Sequence, residues 1–532
     1  MQRRERKSQG EAAPQSPITF RPCSNGEFSP LPETARDRRA AAEFGRLVED
    51  KHRRLGLSRR EFAESACGLA AALLTINTVY GCSGEPAYSV TPDMAEDQGR
   101  ACAALSGDEF IFDVQVHPNE PLEPFRDPPL PLDAEALIRM IFVDSDTTVA
   151  CMSGVSYARG GGLGNLAANR RLQELVDRLA GPRLIFHANA DPTNGPAELD
   201  YMAEVAAAHK IAAWKVYPHV GPWRLDRDVG LAFLERARAL GTRIIAVHRG
   251  IGPGVDYAAA TSPVDLASAA RMFPDLTFLT YHSAWDPLAD EDHAYSPAEP
   301  NPVGVDRLIK GLGDSGIGPG GNVYAELGST WRNLMTQPRQ AAHVLGKLLK
   351  HLGEDRIVWG TDSVFTGSAQ EQIVAFRAFQ IPQSMQEQYG YPPLTDTARR
   401  KILGLNGARV YGVDPQAVRC AISGDFVSAL RTARREDPAA VEVPRDKSLG
   451  PRTRREYLAF LALQREGSAV APPDNRVLGR PEITPHEARV LVCTEPGLRQ
   501  AAVTKRHDAA LWKRLKKDPA TVRSVPPSTL RG

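Results

Sequence analysis

Four apolar runs in this sequence end on residues that could do chemistry: His117 in "IFDVQVH", His248 in "RIIAVH", His282 in "LTFLTYH" and Asp362 in "RIVWGTD". Imidazole nitrogens and a carboxylate are donors for zinc, manganese or iron, and an open coordination position holds a water. One histidine at a strand end is more often a hydrogen-bonding part of the scaffold. Three histidines and an aspartate on four separate runs mean more, provided the fold brings those ends together. Within "IFDVQVHPNE", strand alternation puts Asp113, Gln115 and His117 on one face and Val114 and Val116 on the other. Asp-x-His-x-His at that place would be a metal site outright. Here Gln115 holds the middle position, and its carbonyl suits a hard cation better than zinc.

Further strand-end residues suit substrate binding: Lys215 and Tyr217 in "AAWKVYP", Arg249 after His248, Trp285 after His282, and Glu326 in "NVYAELG". Lys215 and Arg249 would meet a substrate carboxylate, the arginine in a bidentate manner. The plain alternatives are a scaffold ion pair for Arg249, packing for Trp285 and an outward-pointing side chain for Lys215. His187 in "IFHANADP" has no evident facing. His219 lies in a Gly-Pro loop that would cover a pocket, and His293, His343 and His351 read as ordinary solvated residues.

The elements that would position these groups alternate. The runs "FIFDVQV", "TTVACMSG", "RLIFHANA", "AAWKVYP", "RIIAVH", "LTFLTYH", "NVYAELG" and "RIVWGTD" have strand character. Most are followed by segments of helical period such as "AELDYMAEVAAAHK" and "DVGLAFLERARALG". Eight strands separated by helices over roughly 300 residues predict an α/β fold of the (β/α)8 TIM-barrel type, which gathers its strand ends at one mouth. A doubly wound sheet ranks lower, because no Gly-rich phosphate loop follows an early strand.

In order and spacing, "FDVQVH", "AVHRG", "TYHSAWD", "VYAELG" and "IVWGTDSVF" resemble the amidohydrolase superfamily. The nearest branch is the amidohydrolase-related one that includes aminocarboxymuconate semialdehyde decarboxylase and other aromatic-acid decarboxylases and hydrolases. "ILGLNGARVYGVD" resembles the helix that closes such domains, so the likeness covers about Phe110 to Asp414. The resemblance implies a divalent metal, zinc first and manganese or iron as alternatives, held by His117, His248 and Asp362 with Gln115 as a fourth contact. It makes His282 and Asp362 the groups that activate water or move a proton. Gln115 departs from the family's strand-one His-x-His, which implies a weaker, different or absent metal.

With a metal, bound water of pKa near about 7 would attack an amide, ester or lactone, Asp362 or His282 taking its proton. A metal-dependent hydrolase acting on a small organic acid derivative is therefore the leading expectation. Its alternatives are a carboxy-lyase of the same branch, a metal-free lactonase and a non-catalytic small-acid-binding protein of the cell envelope. The expected partner is a small-molecule carboxylate, and barrels of this branch are commonly homodimers.

Four regions are expected. Residues 1–56 are polar and read as poorly ordered apart from a helix in "ETARDRRAAAEFGRLVEDKHRRLG". Residues 57–84, "LSRREFAESACGLAAALLTINTVYGCSG", resemble a twin-arginine export signal, with Arg59-Arg60 before a short apolar core. That reading predicts a periplasmic or envelope protein, and otherwise a cytoplasmic one. Against it stands a helix begun by Ser58, with Glu61 three residues on as a capping box. A lipoprotein cleavage site at Cys82 fits poorly beside Tyr80. Residues 105–414 form the barrel, and 415–532 a partly disordered extension with helical pieces and a basic end. Net charge is +1 from 65 basic and 64 acidic residues, so nothing points to nucleic acid. The seven cysteines form no Cys-x-x-Cys pair, so neither a zinc ribbon nor a disulfide framework is suggested.

Overall fold

Each of the eight apolar runs forms a strand in the computed structural model, which describes residues 15–21, 23–81, 85–117, 138–153, 181–220, 222–252, 260–363, 368–436 and 450–458. The strands are β1 (Phe112–Val116), β2 (Val149–Met152), β3 (Leu184–Asn189), β4 (Ala213–Val216), β5 (Ile244–His248), β6 (Thr277–Tyr281), β7 (Val323–Glu326) and β8 (Ile357–Val358). They lie in sequence order in one parallel sheet. A parallel bridge between Val116 and Ser363 returns the sheet to β1, helped by Val114 N–H to Trp359 O, Asp362 N–H to Gln115 O and His117 N–H to Ser363 O. This is the expected barrel, with helices around it and additional terminal regions.

One cluster of apolar side chains fills the barrel's interior, among them Phe112, Val114, Cys151, Ala246, Leu279, Tyr281 and Val358. Alternate residues of the same strands, such as Ala150, Trp214, Val247 and Ala325, join the larger cluster beneath the helices. Successive strand side chains point to opposite faces, so a barrel strand buried on both sides reads as one continuous apolar run. From below, the Asn406–Tyr411 helix plugs the interior: Tyr411 hydrogen-bonds His187 at 2.7 Å and stacks on it. His187 is thus a satisfied interior group.

Strand β1 departs from simple alternation. Its pairing with β2 shifts register between Asp113 and Val116. Val114 therefore joins the interior cluster with Phe112, while Val116 joins the outer one. The expectation that both valines share one face fails here, because a bulge adds a residue and resets the phase of the strand. Gln115 and His117 still reach the mouth. Asp113 instead accepts hydrogen bonds from Thr361 N–H at 3.0 Å and Gln115 N–H at 3.1 Å, binding the β1 backbone to that which follows β8.

The N-terminal region differs from expectation most. Helix α1 (Ala35–Lys51) starts at Thr34, whose side chain and Asp37 form a capping box. Ser58 and Glu61 cap α2 (Arg59–Ala63) in the same way, and Arg59 and Arg60 pair with Glu49 and Glu64. The apolar stretch is α3 (Ala66–Val79), which buries Cys67, Ala70, Ala71, Leu73 and Ile76 in the common core. Tyr88 then bridges to Phe379 and donates its hydroxyl to Met335 O. Residues 57–81 are thus packed into the fold, and Cys82 lies outside the described residues. Residues 15–21 and 23–30, read as part of a poorly ordered segment, are instead largely buried, with Ile18, Phe20, Ser24, Asn25, Glu27 and Phe28 all enclosed. A polar composition hid a segment whose few apolar residues all pack. Among the described residues no helix is long and apolar enough to cross a membrane.

Beyond the barrel, Phe426–Glu436 is helical and Asp425 forms a buried ion pair with Arg183 at 2.8 Å. Most of the remaining C-terminal extension, with its basic end, lies outside the described residues. The loop "YARGGGLGNLAANR" does too. The loop after His282 is held by Glu291, which pairs with buried Lys347 at 2.6 Å and accepts from Val305 N–H at 2.9 Å.

Candidate active site

At the mouth formed by the C-terminal strand ends, His248 closes β5 and His282 follows β6, both fully buried. Their Nε2 atoms converge on one carboxylate oxygen that comes from outside the barrel. Glu27 Oε2 lies 3.0 Å from His248 Nε2 and 3.6 Å from His282 Nε2. Neither contact has hydrogen-bond geometry, so both nitrogens are left without a hydrogen-bond partner. His282 Nδ1 faces the carbonyl of Gly328 at 2.7 Å, and a carbonyl can only accept, so Nδ1 carries the ring proton. Nε2 is then left with a lone pair 3.6 Å from the carboxylate oxygen. Burial, the largest influence on each ring, holds both histidines below their ordinary pKa and favours neutral imidazole.

Lone pairs facing a carboxylate across such distances call for a cation between them. Donors that share one ion at about 2.0–2.2 Å lie roughly 3 to 3.5 Å apart, close to the 3.0 and 3.6 Å between the carboxylate oxygen and the two imidazole nitrogens. Among the described residues Glu27, His248 and His282 are the group whose donor atoms lie within 4.8 Å of one another. Two imidazoles and one carboxylate suit zinc, manganese or iron. The Gly328 carbonyl that orients His282 is the kind of outer support that metal-binding histidines use.

His117 and Asp362 form an adjoining pair. His117 Nδ1 faces Ser153 O at 2.9 Å, and Nε2 lies 2.9 Å from Asp362 Oδ1. With one proton committed to Ser153, the second contact closes only through another proton on Nε2 or a cation. Asp362 also accepts from Gln115 Nε2 at 2.8 Å, from Asn25 Nδ2 at 2.7 Å and from the Ser329 hydroxyl. Burial alone would raise its pKa, yet His117, His282 and the Ser329 hydroxyl together hold it below the ordinary carboxylate range. Asn25 Nδ2 also donates to Glu27 Oε2 at 2.7 Å, so one amide joins the two clusters.

The position of Gln115 answers the question its sequence context poses. Its amide nitrogen donates to Asp362 Oδ1 at 2.8 Å, and turning the amide over would set its oxygen against that carboxylate. The amide oxygen points away and has no partner. In this arrangement Gln115 is a donor to Asp362, and its oxygen is not turned toward the other donor atoms.

The expected substrate-binding residues separate into two groups. Lys215 and Tyr217 border the site. Lys215 Nζ is buried without a hydrogen-bond partner, 3.2 Å from the Tyr281 ring centroid and 4.8 Å from that of Tyr217. Burial pulls it down to about 7, against the attraction of Glu27, Glu326 and Asp362. Tyr217 and His219 lie beside His248, at 5.3 and 4.5 Å between ring centroids. The other three are placed elsewhere. Arg249 is committed to Asp265 through two bonds of 2.9 and 2.8 Å from one terminal nitrogen, and its other terminal nitrogen donates to Ala260 O at 3.2 Å. Trp285 packs in the outer core. Glu326 braces backbone, accepting from His282 N–H at 2.9 Å and Gly328 N–H at 2.5 Å, and burial lifts its carboxyl to about 8.

The backbone here is unusual. His282, Ser283, Ala284, Ser329 and Asp362 all have φ between 51° and 62°, a region non-glycine residues rarely adopt. Such conformations cost about 1–3 kcal/mol each and persist where the surroundings over-determine them, which active sites commonly do. Glu27 and Asn25 were absent from the sequence-derived set. The only hint was indirect: a strand-one position short of one donor.

Fold and site together define a barrel enzyme whose strand ends carry a buried, metal-type donor set. The amidohydrolase family model matches residues 113–413, more than half of the chain, and the protein belongs to that family. No curated protein matches it. Among solved structures, 2,6-dihydroxybenzoate decarboxylase from Rhizobium is 14% identical, covering 57% of this chain and 99% of its own, with a TM-score of 0.38. The 5-carboxyvanillate decarboxylase from Sphingomonas paucimobilis is 12% identical, covering 58% and 100%, with a TM-score of 0.37. Dihydroorotase from Campylobacter jejuni is 13% identical, covering 57% and 84%, with a TM-score of 0.34. Likeness at this level carries none of their activities to this chain.

Proposed function

We propose that this amidohydrolase-family enzyme is a metal-dependent carboxy-lyase acting on a small organic acid. The observation that carries the choice is the state of Asp362, whose two oxygens are occupied by Gln115, His117, Asn25 and Ser329. Hydrolysis asks this aspartate to take a proton from water. A carboxylate already accepting from so many donors is a weak base.

Glu27, His248 and His282 would hold the metal, which when bound acts as a Lewis acid toward an oxygen of the acid substrate. Lys215, the buried cation without a hydrogen-bond partner, would meet the substrate's carboxylate. His117, which meets Asp362 through Nε2, would deliver the proton of that contact to the carbon that bears the carboxylate. The C–C bond to that group then breaks, its electron pair restores the substrate's π system, and CO2 leaves. Asp362 stays charged and stabilises the imidazolium before transfer. Tyr217 and Tyr281 shield Lys215 from water, which strengthens its attraction for an anion.

Hydrolysis is the second reading, favoured by one observation: His282 Nε2 has no hydrogen-bond partner, and on that reading it would serve as the base that takes a proton from water and not as a metal ligand. A panel separates the two. CO2 release from aromatic and unsaturated acids would be measured beside acid release from lactones, esters and amides, using protein supplied with zinc or manganese. Turnover of the acids supports the carboxy-lyase; turnover confined to the lactones, esters or amides defeats it.

A further inference from the structure

Strand one of this barrel supplies one imidazole and one amide, and the amide oxygen is turned away from the donors. The nearest replacement arrives from 88 positions earlier in the chain, where Glu27 enters the mouth. We propose that residues 23–28 form a ligand-bearing strap: Glu27 completes the cation site that Gln115 leaves short, and the C-terminal extension holds the strap in place. This rests on the metal-dependent reading above.

Three observations support the strap as a fixed donor. It is internally braced: Ser24 Oγ donates to Phe28 O at 2.5 Å and accepts from Gly26 N–H at 2.9 Å, and Glu27 N–H donates to Asn25 Oδ1 at 3.0 Å. It is seated, with Phe28, Ser24, Asn25 and Glu27 all buried. Its carboxylate oxygen is aimed at two fully buried imidazole nitrogens that have no hydrogen-bond partner. A loop that merely covered the mouth would gain nothing by burying a carboxylate there, since an uncompensated buried charge is costly.

The clamp lies on the far side of the strap. Ser24 N–H donates to Pro451 O at 2.9 Å, and Arg21 donates to Arg452 O. Gly450 packs so closely that a Cβ there would sit 1.7 Å from Ser24 O. A side chain at 450 must push the strap away from the C-terminal segment without touching any metal donor. Two segments far apart in sequence, one before the barrel and one after it, thus meet at the strap, and either one can set the affinity of the cation site.

The test measures zinc affinity of the full-length protein, stripped with chelator and titrated against a zinc-binding dye, with circular dichroism to confirm folding. The parent should bind about one ion and His248→Ala should lose it. Glu27→Gln should weaken binding by about a hundredfold, and Glu27→Asp, which keeps the charge on a shorter arm, by less. Gly450→Val should weaken it several-fold at unchanged stoichiometry. Cobalt-loaded Glu27→Gln should show an altered visible spectrum, a change that mere loosening of the loop would not give. Loss in His248→Ala with parental affinity in Glu27→Gln overturns the strap and leaves the metal-dependent reading intact. Retention in His248→Ala as well overturns both. Weak binding in Glu27→Gln with parental binding in Gly450→Val keeps Glu27 as a ligand and overturns the clamp.

Discussion

Asp113 and Asp362, both buried at the junction of β1 and β8, are pushed in opposite directions. Burial outweighs the donors around Asp113 and lifts it to about 7 from 3.8, while the donors around Asp362 prevail over burial. In the folded protein Asp113 therefore keeps a proton that the unfolded chain has released above about pH 4. Stability must fall as pH rises from about 4 to about 7, by an amount on the order of a few kcal/mol. Asp113→Asn should flatten that fall, which urea midpoints at about pH 5 and pH 7.5 would show. For Asp362→Asn the expectation is a loss in kcat of about a thousandfold with metal content unchanged. Metal lost together with activity would make Asp362 a ligand, as the family resemblance implies.

At the scale of elements, two glycines allow the strand ends to close around the site. A Cβ at Gly360 would lie 1.7 Å from Glu326 Oε1, and one at Gly328 2.2 Å from Gln115 Oε1. Gly360→Ala should displace Glu326, and with it the His282 backbone, lowering kcat/KM by about a hundredfold, since shifts near 1 Å have effects of that size. Kinetics on protein whose melting behaviour is near parental would check it. The α2 cap belongs to stability alone. Ser58→Ala removes one half of the capping box and should cost about 1 kcal/mol in denaturant unfolding, with turnover unchanged.

Across the whole molecule, the described parts of both extensions pack against the barrel. Helix α3 shares the core, Tyr88 ties the N-terminal region to the helix side of the barrel, and Ser24 meets Pro451. An ion held by Glu27, His248 and His282 would bridge the strap to β5 and the turn after β6. Its removal should lower stability by about 2.7 kcal/mol when free metal stands at a hundred times Kd. Chelator should then lower the Tm of the parent by several degrees and leave that of His248→Ala unmoved, which differential scanning calorimetry would test.

The barrel was legible in sequence because its strands are buried on both faces and read as uninterrupted apolar runs. His117, His248, His282 and Asp362 were legible as strand ends, since a barrel places its chemistry there. Facing was not. The bulge in β1 moved Val114 inside, and Asp265, sixteen residues beyond Arg249, claimed that arginine for the scaffold. Such contacts depend on where a helix or loop returns to the sheet, which no local pattern encodes. Least visible was Glu27, an ordinary acidic residue in a polar stretch until the fold sets it 3.0 Å from His248. Local periodicity determines which segments bury themselves and where strands end. Only tertiary structure decides which distant side chain fills the place that Gln115 leaves open, because that choice depends on geometry and charge at a mouth built from the whole chain.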